Sequence, residues 1–159
     1  MKTTTILFLI KKEQDTISEI CLAMKKRGFG VGRWNGTGGK LQEGESVEQA
    51  AIRETEEEIN VQVKKLYKVA ELEFSFVNKS EWNQWTHVFF CEDWEGLPSE
   101  SDEMKPEWFL IKDIPFSNMW PDDIFWLPEV LNKKHVKGKF LFGEGDTMLE
   151  KQIEIVESF

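Results

Sequence analysis

Glu54, Glu57 and Glu58 stand at positions i, i+3 and i+4 of the run RETEEEIN, Arg53 to Asn60. On an α-helix these positions fall within an arc of roughly 100°, so three carboxylates share one face. Such a face is unfavourable by itself. Like charges at these spacings repel by a few tenths of a kcal/mol per pair, and acids in a last turn oppose the helix dipole by about 0.3–1 kcal/mol each. A cation offsets both effects. Carboxylate oxygens are hard ligands and neither cysteine nor histidine lies nearby, so Mg²⁺ is expected, with Mn²⁺ possible and zinc disfavoured. The chemistry open to such a set is activation of a bound water, with one glutamate taking its proton. Glu58 is the first candidate for that base and Glu57 the second. Arg53 can reach Glu57 at i+4 and Glu45 from the preceding loop, which suits it to fixing carboxylate geometry. A merely solvated acidic face is the competing reading of any Glu-rich helix. Here the preceding glycines, Glu45 and Arg53 weigh against it.

The elements around this run can be read from local signals. Gly36, Gly38, Gly39 and Gly44 predict a loop. Ser46 and Gln49 then form a capping box, a helix runs to about Ile59, and Asn60 suits the left-handed position that ends it. Ahead of the loop, Thr3–Ile10 reads as a buried strand, Lys11–Glu19 as a polar hairpin loop and Ile20–Lys26 as a second strand. Arg27–Gly39 contains neither the GxxxxGK[ST] nor the GxGxxG phosphate-binding pattern. After the helix, Leu72, Phe74 and Phe76 alternate with polar residues as in a half-buried strand, and Trp85–Glu92 returns antiparallel to it. Glu95–Lys105 reads as acidic loop, Pro106–Ile111 as a short strand, and a second helix starts near Asp122 with Pro128 inside it or marking a later start. Lys139–Phe142 and Thr147–Val156 predict a closing hairpin. Strands mixed with two helices point to an α/β sandwich. His87 and His135 are isolated and read as structural.

A length of 159 residues suits a single domain, 1–159. The net charge of −9 argues against a polyanion-binding surface and hence against a nucleic-acid partner. A small phosphorylated substrate remains compatible, because a bound divalent ion reverses the field locally. Cys21 and Cys91 lack CxxC spacing and fit buried free thiols in a reducing compartment. The apolar run Ile6–Ile10 is too short for a signal or a membrane span, so a cytoplasmic protein with no membrane partner is expected, as a monomer. Seven tryptophans and twelve phenylalanines against a single tyrosine is an aromatic excess that core packing mostly explains, and a base-stacking pocket could use some of them.

Gly39, Glu45, Arg53-Glu54, Glu57-Glu58 and Val61 fall at the spacing of the Nudix box, and over this stretch the chain resembles the Nudix hydrolase family. That family cleaves nucleoside diphosphates linked to another group. Thr55 and Asn60 depart from the box, where the family carries an aliphatic residue and a glycine. The resemblance implies an α/β/α sandwich with a mixed β-sheet and a metal set of Gly39, Glu54, Glu57 and Glu58. Glu103, in SDEM, is a candidate further ligand or base.

Outside the box, MKKRGFG (Met24–Gly30), GRWNG (Gly32–Gly36), SDEM (Ser101–Met104), IPF (Ile114–Phe116), MWPDD (Met119–Asp123) and GDT (Gly145–Thr147) resemble the MutT-type branch that hydrolyses oxidised purine nucleoside triphosphates. Trp120 can offer a π-face to a purine. Asp122 and Asp123, if both are buried, raise each other's pKa so that one carries a proton, and the pair can then donate as well as accept. A simple helix cap is the alternative for Asp122. The resemblance further implies that Asn35 meets the base or sugar, that Thr5 and Lys25 hydrogen-bond in the pocket, and that Phe29, Phe74 and Trp126 wall it. The chain departs from the branch at Gln84-Trp85, where the branch carries a methionine at the pocket edge and this chain has one additional residue in the turn, at Thr37, which replaces an aromatic residue, and in a longer Lys11–Glu19 segment. The expected activity is Mg²⁺-dependent hydrolysis of a small nucleotide such as 8-oxo-dGTP or 2-hydroxy-dATP to the monophosphate and pyrophosphate. Open alternatives are another nucleoside diphosphate derivative, such as ADP-ribose, a dinucleotide or an undamaged nucleotide, or a non-catalytic nucleotide-binding module.

Overall fold

The computed structural model describes residues 1–159, and its N-terminal hairpin is longer than the polar composition suggests. Strand β1 (Lys2–Glu13) and strand β2 (Thr16–Lys25) turn through Gln14 and Asp15 alone, both at positive φ (50° and 70°). Two left-handed residues give the turn whose twist matches an antiparallel hairpin. The expected loop at Lys11–Glu19 is therefore mostly ladder, and its polar residues are the exposed tip of two strands. The extra residues lengthen the hairpin at that tip, eight positions along β1 from Ile6, or about 25 Å at the rise of a strand.

Beyond Ile10 and Ile20 the two strands part, and β2 pairs instead with β3 (Trp34–Asn35) on one edge and β6 (Met104–Leu110) on the other. The gap beside β1 is filled by the glycine-rich segment. Leu7 N–H donates to Thr37 O (2.7 Å), Thr37 N–H to Leu7 O (3.0 Å), and Thr5 N–H to Gly39 O (2.9 Å). Gly38, at φ 152°, runs so close to β1 that a Cβ there would lie 1.8 Å from Thr5 O. This position requires glycine. The segment delivers the chain to helix α1 (Val47–Ile59), whose capping box at Ser46 and Gln49 and left-handed Asn60 (φ 62°) are as expected.

The remaining strands are β4 (Gln62–Phe76), β5 (Gln84–Glu95), β7 (His135–Phe142) and β8 (Met148–Val156), with helix α2 (Asp123–Leu131) before β7. Strand order is β3-β2-β1-β5-β4-β7-β8, with β6 on the outer edge of β2. The β1–β5 and β4–β7 pairs are parallel and the others antiparallel, so the sheet is mixed. Alternation along the strands builds a core on each side. Leu7, Leu9, Phe89 and Cys91 pack with Ala51 and Ile59 of α1. Phe8, Ile10, Val88 and Phe90 pack with Trp126, Leu127 and Val130 of α2. The result is the expected three-layer α/β/α sandwich.

Several boundaries differ from the sequence reading. Strand β7 begins at His135, ahead of the expected Lys139, because Val136 and Phe140 alternate inward between lysines. His135 therefore lies in a strand. Pro128 lies inside α2, which starts at Asp123. No helix is long and apolar enough to cross a membrane.

Candidate active site

Arg53 organises the carboxylate face of α1. Its Nε lies 2.6 Å from Glu45 Oε2, its Nη1 2.9 Å from Glu54 Oε1 and 3.3 Å from Glu57 Oε2, and its Nη2 donates to Lys40 O (3.3 Å). Glu58 faces inward, only 3% exposed, and its Oε1 accepts the Gly38 amide at 2.7 Å. Burial pushes its pKa up to about 7, with the Gly38 hydrogen bond and the charge of Lys25 pulling the other way. Burial also raises Glu54, opposed by Arg53. Glu103 accepts from Arg27 Nη2 (2.6 Å), and that bond holds its pKa below the usual carboxylate range. A low pKa suits a ligand better than a base.

On the other side of β1 a cleft opens between β1, β4, β5 and the start of α2. Its inner cavity, about 400 Å³ with the solvent at its mouth, is lined by Phe29, Asn35, Phe74, Trp120, Asp122 and Asp123, with Ile6, Phe76, Gln84, Thr86 and Phe142. An outer cavity shares Ile6, Phe29, Asn35, Gln84 and Trp120 with it and continues past Lys25 and Gly39 to Glu58. A single passage thus joins the aspartates to the carboxylate helix. Asp122 and Asp123 are both buried, and desolvation raises both pKa values, Asp123 the more strongly because Asp122 lies beside it. Asp122 Oδ2 accepts Trp126 Nε1–H at 2.7 Å, which favours its ionised form, and Asp123 Oδ2 has no partner in the protein. Asp123 is the member that keeps the proton. The helix-cap alternative does not hold, since Asp122 makes no side-chain cap bond and has helical φ/ψ. Asn35 Oδ1 accepts the Gly36 amide (2.8 Å), leaving Nδ2–H to face the cleft.

A NUDIX domain family pattern spans residues 1–130. The chain is 46% identical over 157 residues, 99% of both chains, to a zebrafish (Danio rerio) protein named oxidized purine nucleoside triphosphate hydrolase. It belongs to the Nudix family. A mouse (Mus musculus) protein of the same name is 47% identical over 140 residues, covering 88% of this chain and 89% of that one. The fold is that of a mutator MutT protein from Bacillus halodurans, at TM-score 0.83 and 21% identity over 97% of this chain and 98% of that chain.

Nudix hydrolases generally act with a divalent metal, and the donors here fit one. All are hard oxygens, and Gly39 brings bare backbone against Glu54, whose Oε1 is 2.7 Å from where a Cβ would stand. One lone pair of Gly39 O is taken by Thr5 N–H and the other remains. The carboxylates do not yet converge: Glu54 and Glu57 turn to Arg53, Glu58 turns to Gly38, and no three acidic side chains meet at one point.

Three expected positions differ from the sequence reading. Trp126 does not wall the cleft; it is fully buried beneath Asp122, because α2 turns it into the core. Thr5 alternates to the face of β1 opposite Thr4 and Ile6, its buried hydroxyl has no partner, and it borders only the outer cavity. Trp120 is not a bare π-face, since Arg33 lies 4.1 Å over its ring and Phe29 stacks on it at 5.1 Å. A purine stacking on Trp120 has to share the ring with them. Lys25 borders the outer cavity with its Nζ 3.9 Å from Glu103. Arg33, held by Asp146 (2.9 Å), and Thr4 and Thr86 escaped the sequence reading, whereas Gln84, expected at the pocket edge, lines both cavities. The GDT and GRWNG motifs carried a signal for the Arg33–Asp146 pair; nothing local marks Thr4 or Thr86.

Proposed function

We propose that this Nudix enzyme hydrolyses oxidised purine nucleoside triphosphates to the monophosphate and pyrophosphate with Mg²⁺ as its ion, Mn²⁺ being able to replace it. The observation that carries the reading is the continuous cleft from the buried Asp122–Asp123 pair to Glu58. A carboxylic acid beside a carboxylate can pair with a purine edge that both donates and accepts. Phe29, Phe74 and Trp120 supply apolar and aromatic walls for the ring, and Asn35 an amide donor at its edge. Lys2, Lys25, Arg33 and Lys40 line the outer cavity and favour the triphosphate there, in a chain whose net charge is −9.

Glu58 is assigned as the base. Its pKa near 7 leaves it able to accept a proton at neutral pH, and the Gly38 amide fixes its orientation. Water attacks in line at a phosphorus flanking the α,β-bridging oxygen, the bond from that phosphorus to the bridging oxygen breaks, and Glu58 takes the water's proton. Glu54, Glu57 and Gly39 O would hold the metal, with Glu103 as a further ligand. A bound divalent ion neutralises phosphate charge and acidifies water. Arg53 and Glu45 keep the carboxylates in place. The two cysteines are buried and free, which supports a cytoplasmic location, and a small nucleotide needs no nucleic-acid, membrane or subunit partner.

Competition kinetics with 8-oxo-dGTP, 2-hydroxy-dATP, dGTP and ADP-ribose, followed by pyrophosphate or phosphate release in Mg²⁺ and in Mn²⁺, tests the assignment. An oxidised purine triphosphate should show the highest kcat/KM. A preference for ADP-ribose would sink it.

A further inference from the structure

Thr4, Gln84 and Thr86 form a hydrogen-bonded row on the cleft side of β1 and β5, where Thr4 is registered with Thr86 and Lys2 with Gln84. Thr4 Oγ1 lies 2.8 Å from Thr86 Oγ1 and 3.2 Å from Gln84 Oε1. Counting protons fixes the direction of the row. Thr86 is 1% exposed, and Thr4 Oγ1 is the one acceptor within reach of its hydroxyl. If Thr86 donates to Thr4, then Thr4 donates to Gln84 Oε1 and every proton is used. If the Gln84 amide were flipped, Nε2 would donate to Thr4, and then either Thr4 donates to Thr86 and the Thr86 proton has no acceptor, or Thr86 also donates to Thr4 and the Thr4 proton has none; either orphan is costly. Gln84 therefore keeps its carbonyl on the threonines and presents both Nε2–H bonds to the cleft, at the neck shared by the inner and outer cavities. Asn35, on the same neck, is turned the same way by the Gly36 amide. The neck offers donors.

We infer that Gln84 is a specificity-determining residue: it donates from Nε2 to an exocyclic carbonyl oxygen of the purine, and Thr4 and Thr86 are positioning residues that hold it in that orientation. The inference rests on the proposed purine nucleotide substrate. A guanine-type base, oxidised or not, carries a carbonyl that accepts this bond. Adenine carries an amino group in its place, and a donor facing a donor leaves both unpaired. The row thus selects bases that turn a carbonyl to the neck over adenine, which turns an amino group there.

The test uses the full chain with Mg²⁺, measuring kcat and KM for 8-oxo-dGTP, together with the Kd of 8-oxo-dGMP and of dAMP. Gln84→Leu removes the donors at similar volume. It should raise KM for 8-oxo-dGTP and Kd for 8-oxo-dGMP about tenfold, leave kcat within about twofold and leave dAMP binding unchanged. Thr86→Val frees the amide to rotate and should weaken 8-oxo-dGMP binding about threefold, yet add nothing in the Gln84→Leu background. Equal losses for 8-oxo-dGMP and dAMP, no loss for either, or additive effects of the two substitutions would overturn the role. Thermal unfolding of each variant separates loss of fold from loss of contact. A wild-type protein that ignores 8-oxo-dGTP would instead remove the proposed function, so the two failures are distinguishable.

Discussion

Arg53 divides one guanidinium among Glu45, Glu54 and Glu57 and still reaches Lys40 O. Lysine has a single ammonium in place of that planar fork and can serve only part of the set. Arg53→Lys should therefore lower kcat about 10- to 100-fold through misplaced carboxylates, with KM changed less, in steady-state assays with 8-oxo-dGTP. Glu58→Gln keeps the shape that meets the Gly38 amide but cannot take a proton, so kcat should fall by at least about 10²-fold while calorimetric affinity for the product monophosphate is retained. Full turnover by that variant removes Glu58 as base. The glutamates were legible in the sequence because i, i+3, i+4 spacing and helix geometry are local. The place of Trp126 was not, because whether an aromatic residue walls a cleft or fills a core depends on what the rest of the chain puts around it.

At the scale of elements, two departures, Thr55 from the Nudix box and Thr37 from the MutT-type branch, explain each other. Thr37 on the glycine-rich segment and Thr55 on α1 are both buried, and their hydroxyls lie 2.7 Å apart, with Leu7 O (3.2 Å) and Ala51 O (2.8 Å) as the remaining acceptors. As a pair they tie the loop to the helix. Thr55→Val should destabilise the protein by about 0.5–1.5 kcal/mol, the net worth of a hydrogen bond, since Thr37 keeps Leu7 O as its acceptor, and Thr37→Val should cost less in that background than alone. Urea midpoints of the two single variants and the double variant give the coupling directly. The loop and capped helix were legible from glycines, Ser46, Gln49 and Asn60, all local signals. The splaying of β1 from β2 was not, since it depends on the segment from Trp34 to Lys40 entering between them.

For the molecule as a whole, burying acids on both sides of the sheet links stability to pH. Folding raises the pKa of Asp122, Asp123 and Glu58, so the native state binds protons that the unfolded chain releases near pH 4. Their contribution to stability is complete below that value and is lost as pH rises through the raised values, for Glu58 between about 4.5 and about 7. Asp123→Asn removes one such titration: its stability relative to wild type should increase from pH 4 to pH 8, read from thermal unfolding at each pH. A difference that stays constant with pH would contradict the raised pKa. The sequence by itself determined the carboxylate face, its capped helix and the box spacing, because these follow from periods and caps within a few residues. It also pointed to an α/β sandwich, because strands are mixed with two helices, and the three-layer order came with the family resemblance. Only the tertiary structure decided that Thr4, Gln84 and Thr86 form one row, that Arg33 lies over Trp120, and that Trp126 supports Asp122 from below. Those arrangements set burial and proton partners, and both come from elements far apart in the chain.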